Sequence, residues 1–274
     1  MKDIKILDVK ITSLREEEVI ERMRGMMQKG HSLLCTPNTE FLINAAKDQD
    51  FKSILNKDSK INLPDSFGLL WAARFNSLWL PKQSALKQAV IFLQWISTLI
   101  LIPFFPKYFY QPIHGRISGS DFIWPLARFA AENKFKIFLL GGAPTVAERV
   151  ALKLQTDIFG LRIAGVHSGS PKDTEEIVEA INRAKADIVI VAFGSPKQEI
   201  WLKQNLARTS CRVGIGLGGT FDFIAGVRPR APLVMRRIGL EWLFRLVIEP
   251  SRFRRQLALP KFAWRVLLSR LNSI

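Results

Sequence analysis

The stretch from Lys136 to Gly219 alternates short apolar runs with longer amphipathic ones, and this alternation constrains the fold more than any other feature. The apolar runs are KIFLLGG, LRIAGV, DIVIVAF and CRVGIGLGG, separated by TVAERVALKLQ, TEEIVEAINRAKA and PKQEIWLKQNL. Short apolar runs of this kind are typical of strands buried on both faces, and the intervening stretches have helical periodicity. The pattern predicts an α/β fold, Rossmann-like, with a mostly parallel sheet covered by helices on both faces.

The preceding part of the chain follows the same pattern less regularly. IKILDVKI predicts a short strand, the stretch from Glu17 to Gln28 an amphipathic helix, and SLLCTP another strand. Further helical patterns lie at Glu40–Lys47, Gly68–Arg74 and Asp121–Asn133. We therefore expect residues 1–227 to form one α/β domain.

Composition narrows the environment and the partners. The net charge of +16 and the pI near 10.2 indicate an anionic partner, for which nucleic acid, acidic lipid and phosphorylated substrates all qualify. Cys35 and Cys211 are far apart in apolar runs, which favours two buried thiols in a reducing compartment over a disulfide framework. The N-terminus has early acidic residues and no continuous apolar stretch, so we expect no signal peptide and a place in the cytoplasm or on its membrane.

One segment that breaks the alternation is uncharged from residue 88 to residue 106. A helix of that length could nearly cross a bilayer core, but Pro103 and Pro106 argue against a continuous helix. A single crossing would also place the two parts of the α/β domain on opposite sides of the membrane. We therefore favour a re-entrant or interfacial membrane-contacting segment, and a buried core helix is the alternative.

The other segment is the C-terminal tail, residues 228–274. It carries eleven Lys or Arg residues against two Glu, and aromatic and aliphatic residues are interleaved with these charges. Basic, aromatic-rich amphipathic helices commonly lie in the membrane interface. The tail therefore predicts a basic amphipathic helical appendage that associates with a membrane, and a helical subdomain with a solvated basic face is the alternative.

Polar clusters follow five of the apolar runs: CTPNTEF, INLPDSFG, FLLGGAP, AFGSPKQE and GLGGTFDFIAG. Because parallel strands end at one edge of a sheet, these clusters should converge on a cleft with space for phosphate. No Walker loop, dinucleotide fingerprint, G-x-S-x-G elbow or paired metal-ligand spacing occurs. Asp48 and Asp50 form an Asp-x-Asp that is interpreted as a solvated helix terminus.

AFGSPKQE is the most suggestive of these clusters. Gly194 permits a sharp turn out of the strand, and Pro196 suits the first turn of a helix. Lys197, Gln198 and Glu199 would then lie beside the unpaired amide groups and the positive end of the helix dipole, a setting that suits phosphate. The alternative is a plain strand-to-helix connection with a solvated surface.

The chain resembles the WecG/TagA/CpsF glycosyltransferases, also called N-acetylmannosaminyltransferases. The resemblance covers most of the chain, through TPNTEFL, LPDSFG, ISGSDF, FLLGG, GSPKQEIW, GLGGTFDFIAG and RAP…GLEWLFRL…EPSRFRRQ. It implies transfer of N-acetylmannosamine or another hexose from a UDP-sugar donor to a polyprenyl-diphosphate-linked acceptor at the cytoplasmic face of the membrane. It also implies a reaction with no cofactor and no required metal ion, in the synthesis of teichoic acid, enterobacterial common antigen or exopolysaccharide.

The resemblance also assigns site residues. Asp65 matches the proposed catalytic base, whose single carboxylate suggests inversion, while Thr36 and Asn38 would hold the donor sugar or orient Asp65. A helix N-cap is the alternative for Asp65, and turn chemistry is the alternative for Thr36 and Asn38. Gln198 would contact the donor closely. The expected donor-binding residues are Gly141, Gly142, Lys197, Gln198, Glu199, Gly218, Gly219 and Asp222.

In the tail, Arg245, Arg252 and Arg255 match arginines expected to bind diphosphate groups, here that of the acceptor, for which simple attraction to a lipid surface is the alternative. The family pattern has Asp-Gly where this chain has Asp65-Ser66. About thirty additional residues, from Leu80 to His114, also intervene before RISGSDF. This insertion contains the uncharged segment, so it predicts stronger membrane attachment and leaves acceptor identity open.

Two other classes of function compete with this interpretation. A basic nucleic-acid-binding protein would explain the charge, although no nucleic-acid motif occurs and the main interpretation includes no nucleic-acid partner. A membrane-anchored, nucleotide-dependent oxidoreductase would need the dinucleotide fingerprint that is missing. The sequence leaves homo-oligomer formation open.

Overall fold

The computed structural model describes residues 3–82 and 84–273. The strands in these ranges are β1 (Asp3–Ile6), β2 (Val9–Thr12), β3 (Ser32–Cys35), β4 (Ser59–Asn62), β5 (Lys136–Gly141), β6 (Arg162–His167), β7 (Ile188–Ala192) and β8 (Val213–Gly216). The helices are α1 (Glu16–Lys29), α2 (Thr39–Ala45), α3 (Gln49–Ser53), α4 (Phe67–Ser77), α5 (Ser84–Leu101), α6 (Gly119–Glu132), α7 (Val146–Asp157), α8 (Thr174–Ala184), α9 (Lys197–Asn205), α10 (Thr220–Ile224), α11 (Leu233–Arg237), α12 (Glu241–Ile248), α13 (Phe253–Gln256) and α14 (Ala258–Leu271).

Six strands form one parallel sheet in the order β4-β3-β8-β7-β5-β6, which confirms the predicted α/β fold. Neighbouring residues of a strand face opposite sides of the sheet. In β5, Phe138 and Leu140 join one hydrophobic core, whereas Ile137 and Leu139 join the other. Helices therefore cover both faces, and full burial of each such side chain contributes about 1.5–3 kcal/mol.

The prediction of one strand in IKILDVKI is wrong, because this segment forms a hairpin. β1 and β2 pair antiparallel, and they form a two-stranded sheet separate from the main one. Leu7 and Asp8 between them have φ values of 47° and 62°. Two successive residues with positive φ make a tight turn whose twist matches that of a hairpin.

Two smaller expectations are confirmed. Cys35 and Cys211 are both buried free thiols. The Asp-x-Asp lies at a helix terminus, where Asp48 Oδ1 accepts the backbone N–H of Phe51 at 2.9 Å and caps α3. These residues therefore serve packing and helix initiation.

The uncharged segment forms most of α5, which ends at Leu101, two residues before Pro103. One side of α5 is buried: Trp71 Nε1 donates to Thr98 Oγ1 at 3.0 Å, and Trp95 Nε1 donates to the carbonyl of Ala263 at 2.9 Å. The opposite side is exposed. Within the described residues, no helix combines the length and apolar character needed to cross a bilayer. Helix α5 thus packs on the protein with one side and exposes the other.

The C-terminal tail is helical, as predicted, and it shares a hydrophobic core with the α/β domain. Phe262, Val266 and Leu267 of α14 are almost completely buried in the core that also contains residues of α2 and α4. Arg270 donates to the backbone carbonyls of Phe75 and Leu78, the latter at 2.7 Å. A cation at this position also suits the negative end of the α4 dipole.

Replacing Arg270 by Ala should destabilise the protein, because it removes the donors for carbonyl groups at the end of α4. We expect the free energy of unfolding to fall by about 2–3 kcal/mol, measured by urea denaturation. Arg265→Ala is the matched control, since Arg265 is an exposed residue of the same helix, and it should change stability by less than about 0.5 kcal/mol. Equal effects of the two substitutions would contradict the assigned role.

Candidate active site

A cavity of about 280 Å³ lies where the ends of β3, β4, β7 and β8 meet the C-terminal helices. Four of the five polar clusters reach it, and the cluster after β5 does not. Residues from the sheet side include Thr36, Asn38, Glu40, Asp65, Arg116, Gly194, Ser195, Gln198, Gly218, Gly219, Thr220 and Asp222. Residues from the tail include Arg228, Gly239, Glu241, Trp242, Arg245, Arg252, Arg255 and Gln256. The two parts of the chain thus form the cavity together.

Asp65 lies in the loop between β4 and α4, with its side chain half-buried at the cavity wall. Its backbone N–H donates to Pro37 O at 2.9 Å, and its Oδ1 accepts the N–H of Gly119 at 3.3 Å. Helix α4 begins at Phe67 with Ser66 as its N-cap, so the alternative of an Asp65 N-cap is wrong. The Asp65 carboxyl group therefore does not cap α4, and it belongs to the lining of the cavity.

The surroundings of Asp65 shift its proton affinity. Burial raises the pKa of the carboxyl group to about 7, against the lowering effects of Arg116, Arg245 and the Gly119 N–H. Glu241 adds a raising effect because it is a like charge nearby. A carboxyl group with a pKa near neutrality can accept and release a proton under ordinary conditions.

Asp65 differs from the other carboxyl groups that line the cavity, since those are paired with arginine. Glu40 accepts two hydrogen bonds from Arg255, at 3.1 and 3.0 Å. The remaining pairs are Asp222 with Arg228 at 3.3 Å, and Glu241 with Arg116 at 2.7 Å and with Arg245. Of the lining carboxyl groups, Asp65 is thus the one without an ion pair to arginine among the described contacts.

The three arginines predicted to bind diphosphate all line the cavity. Arg245 pairs with Glu241 and its guanidinium carbon lies 4.8 Å from the centre of the Phe223 ring, while Arg252 pairs with Glu249. Their side chains are held in place by carboxylates, whose two oxygens present a geometry similar to that of a phosphate group. This arrangement makes the tail side of the cavity a cluster of positioned guanidinium groups.

The sequence interpretation missed Arg116 and Arg228 as site residues. Both line the same cavity, so five arginines surround it. Arg116 directly precedes the ISGSDF motif, and this position next to a family motif could have indicated that Arg116 is a site residue. Arg228 begins the tail, and its pairing with Asp222 and Glu249 depends on contacts that no local pattern predicts.

Thr36 and Asn38 line the cavity, but their side chains form hydrogen bonds with backbone groups of neighbouring loops and helices. Thr36 Oγ1 donates to the carbonyl of Gly216 at 2.9 Å and so links the ends of β3 and β8. Asn38 Oδ1 accepts the N–H of Phe41 at 3.1 Å and caps α2. These bonds fix the loop beside Asp65, and contact of either side chain with a donor sugar stays a prediction.

Gln198 connects the loops that follow β7 and β8. Its Oε1 accepts the N–H groups of Gly194 at 3.1 Å and Gly218 at 3.0 Å, and its Nε2 donates to Glu199 Oε1 at 2.7 Å. A Cβ atom at Gly216 would lie 2.6 Å from the Gln198 amide, so only glycine leaves room for it there. Gln198 is only 2% exposed, and its two accepted hydrogen bonds hold both loops in place.

The other predicted donor residues have different environments. Glu199 is fully buried behind Gln198, and burial raises its pKa to about 7. Lys197 is exposed on the first turn of α9, outside the cavity. Gly141 and Gly142 lie at the end of β5, packed near Phe193 and Val146, and also outside the cavity, whereas Gly218, Gly219 and Asp222 line it. Donor contacts by any of these residues stay predictions.

Across residues 3–82 and 84–273, no group of three or more His, Cys, Asp and Glu side chains is placed to hold a metal ion. The charged groups that the cavity does offer are guanidinium groups and carboxylates.

Stability should fall as the pH rises towards 7, because Asp65 and Glu199 both have raised pKa values of about 7 in the folded state. Unfolded carboxyl groups titrate near pH 4, so between about pH 5 and 6.5 the folded chain retains protons that the unfolded chain has released. The stabilisation is complete at low pH and is lost as the pH approaches 7. The expected slope is about 1.4 kcal/mol per pH unit for each group.

Urea denaturation at pH 5 and pH 6.5 measures this slope. Asp65→Asn and Glu199→Gln keep the side-chain shape, and each should reduce the pH slope of the free energy of unfolding by about half. A variant with the slope of the unmodified protein would show that its carboxyl group is already ionised throughout this range.

Comparison with known proteins identifies the family of this chain. The model of the glycosyl transferase WecG/TagA/CpsF family matches residues 4–99 and 100–274. One relative is the N-acetylglucosaminyldiphosphoundecaprenol N-acetyl-beta-D-mannosaminyltransferase of Bacillus subtilis, 31% identical over 245 residues, which are 89% of this chain and 82% of the relative. A protein of the same name from Bacillus spizizenii is 36% identical over 157 residues, 57% of this chain and 61% of that protein. The family model and both relatives are named as glycosyltransferases, which favours neither the nucleic-acid-binding nor the oxidoreductase alternative, and this chain belongs to the WecG/TagA/CpsF family of glycosyltransferases.

Proposed function

We propose that this glycosyltransferase moves N-acetylmannosamine, or another hexose, from a UDP-sugar to a polyprenyl-diphosphate-linked saccharide. The relatives' names specify an N-acetylglucosaminyldiphosphoundecaprenol acceptor and an N-acetyl-β-D-mannosaminyl group. The product would enter teichoic acid or another cell-surface polysaccharide. The observation that carries the proposal is an Asp65 carboxyl group without a described ion pair to arginine in a cavity surrounded by arginines.

In this mechanism Asp65 is the general base. It takes the proton from the attacking hydroxyl of the acceptor sugar while that oxygen bonds to the anomeric carbon, and the bond from this carbon to UDP breaks. A base with a pKa near the working pH is well suited to this transfer. One displacement at the anomeric carbon inverts its configuration, so an α-linked donor would give the β-linked product that the relatives' names describe.

The arginines would bind diphosphate groups. Arg245, Arg252 and Arg255 line the tail side of the cavity, and guanidinium forks match pairs of phosphate oxygens. Their fixed positive charges could stabilise the negative charge that develops on the leaving UDP, which supports a reaction without a required metal ion. Binding would exchange the carboxylate partners of these arginines for phosphate oxygens.

A membrane-bound acceptor implies work at a membrane surface, which we place at the cytoplasmic face, where the enzyme would be peripheral or monotopic. The tail supplies eleven basic residues against two acidic ones, and each basic residue near an acidic lipid surface contributes about 1 kcal/mol. Attraction to the lipid surface and binding of the diphosphate would therefore act in the same direction.

A donor screen tests the proposal directly. The full chain in detergent or liposomes is mixed with a polyprenyl-diphosphate N-acetylglucosamine analogue and a panel of UDP-sugars, and UDP release and the mass of the lipid product are measured together. Extension of the lipid by one donor identifies the reaction. Absence of UDP release with every donor, from a folded protein that also does not bind UDP, would refute it.

Asp65→Asn should lower kcat/KM by about 10²- to 10⁴-fold, because the amide cannot accept the proton. In the unmodified enzyme kcat/KM should rise with pH through about 7, since the base must be ionised. Arg116→Gln removes the main charge that lowers the pKa of Asp65, so its profile should move to higher pH. A kcat/KM that does not change between pH 5.5 and 8.5, a range that includes the pKa of about 7, would contradict the assignment of the base.

Arg252→Ala should lower kcat/KM by about 10- to 100-fold, the loss expected for charge-assisted hydrogen bonds to a diphosphate. Arg254→Ala is the matched control, because Arg254 belongs to the same short helix region, carries the same charge and is exposed without lining the cavity. It should retain activity within about twofold. Similar losses in the two variants would indicate general attraction to the lipid surface.

A further inference from the structure

Helix α5 presents an apolar face to solvent. Leu86, Phe92, Leu93, Ile96 and Ile100 are between 38% and 66% exposed, and we call these five residues the outer face of α5. The turn after the helix exposes Phe104 and Phe105 further, at 70% and 61%. Exposed apolar clusters of this kind mark sites of contact with a protein or a membrane.

The outer face is a distinct side of the helix. Ile91 and Thr98 are two turns apart and buried, so they define the side that packs on the protein. Leu86, Leu93 and Ile100 are also spaced by two turns each, and they define the opposite side. The helix is therefore fixed by one face, and its apolar second face has no cover within the described chain.

The chain segment that contains this face carries only basic charges. From Ser66 to Ser120 the sequence has no Asp or Glu, whereas Lys82 precedes α5, Lys87 lies in its first turn and Lys107 follows it. Lys82 and Lys107 are exposed. An apolar face bordered by lysines is complementary to the acyl region and the acidic headgroups of a phospholipid bilayer.

The outer face connects to the tail through aromatic contacts. Phe92 of the outer face stacks on Trp95, with 6.0 Å between ring centres, and Trp95 contacts Trp264 of α14 edge to face, with 6.3 Å between ring centres. Trp264 and Leu268 are 52% and 40% exposed, with the exposed basic residue Arg265 between them. Two helices from separate parts of the sequence thus contribute to one apolar and basic surface.

The chain just beyond α5 also packs against residues that line the cavity. Ile102, just beyond the end of α5, packs against Gly239, where an added Cβ atom would lie 3.1 Å from Ile102 Cγ2 and 3.0 Å from the ring of Phe67. Gly239 and Phe67 both line the cavity. A surface applied to a membrane here would bring the cavity close to lipid headgroups.

We propose that the outer face of α5, with Phe104 and Phe105, inserts into the interfacial region of an acidic phospholipid bilayer beside the mouth of the active-site cavity. The purpose of this contact rests on the proposed lipid-linked acceptor, but the contact itself is independent of catalysis. It adds an anchor to the basic tail and fixes the orientation in which the cavity meets the membrane.

Vesicle binding by the full chain, without substrates, tests the inference. The probes are vesicles of phosphatidylcholine alone and vesicles that also contain phosphatidylglycerol, separated by sedimentation. The test variant is Leu93→Glu/Ile100→Glu, whose sites are exposed and so tolerate a charge without unfolding. The matched control is Leu152→Glu/Phe159→Glu, which introduces the same charges at exposed apolar residues of α7 and the following turn.

The test variant should bind phosphatidylglycerol vesicles about tenfold more weakly than the unmodified chain, and the control should bind within about twofold of it. Circular dichroism and thermal unfolding confirm that both variants are folded. Equal binding by both variants would overturn the proposal. So would conversion of a dimer to a monomer in the test variant with unchanged vesicle binding, because the face would then cover a second copy of the chain.

Transfer assays separate this inference from the proposed function. With a short-chain, water-soluble acceptor, the test variant should release UDP at the unmodified rate, whereas with a long-chain acceptor in vesicles it should be slower by about tenfold, in line with its weaker binding. If the unmodified enzyme releases no UDP with any acceptor, the proposed function fails. The vesicle-binding result would still decide whether α5 contacts the membrane.

Discussion

The bridge from Arg116 through Glu241 to Arg245 joins the C-terminal helices to the edge of the sheet that carries Asp65. Burial raises the pKa of Glu241, but Arg245 and Arg116 together hold it below its usual value, so this carboxylate stays ionised. Removing one member of a buried ionic group leaves an uncompensated charge, which is strongly destabilising. The position of the tail and the proton affinity of Asp65 therefore depend on the same three side chains.

A second set of contacts fixes the loops on the sheet side of the cavity. The Gln198 amide links the loops after β7 and β8, and Thr36 links the ends of β3 and β8. These bonds connect the ends of neighbouring strands, so they fix the loops on this side of the cavity to one another. Groups fixed in this way need little reorganisation when charge develops in a transition state.

The distribution of polarity over the molecule suits the proposed soluble donor and the proposed lipid-linked acceptor. The sheet side of the cavity has polar loops and Asp65, while the tail side has guanidinium groups followed by exposed apolar residues. The insertion contributes α5 to the same side as α14, since Trp95 contacts Trp264. Two segments that interrupt the regular alternation in the sequence thus meet in space, next to the cavity.

The sequence by itself determined the α/β architecture, because the period of its apolar residues dictates which segments are strands and which are helices. It also located Asp65, Thr36 and Asn38, since polar residues at the ends of parallel strands must gather at one edge of the sheet. It did not reveal the N-terminal hairpin, which depends on two positive-φ residues that are not glycine.

Only the tertiary structure decided which clusters share the cavity. The cluster at Gly141 lies on β5, which β7 separates from β8, and strand order is a property of long-range pairing. Glu199 and Lys197 belong to one helical turn, yet one is buried and the other exposed, because the direction of a side chain depends on where its helix packs. The pairs Glu241–Arg116 and Glu40–Arg255 join residues that are far apart in the chain, and no local pattern specifies such contacts.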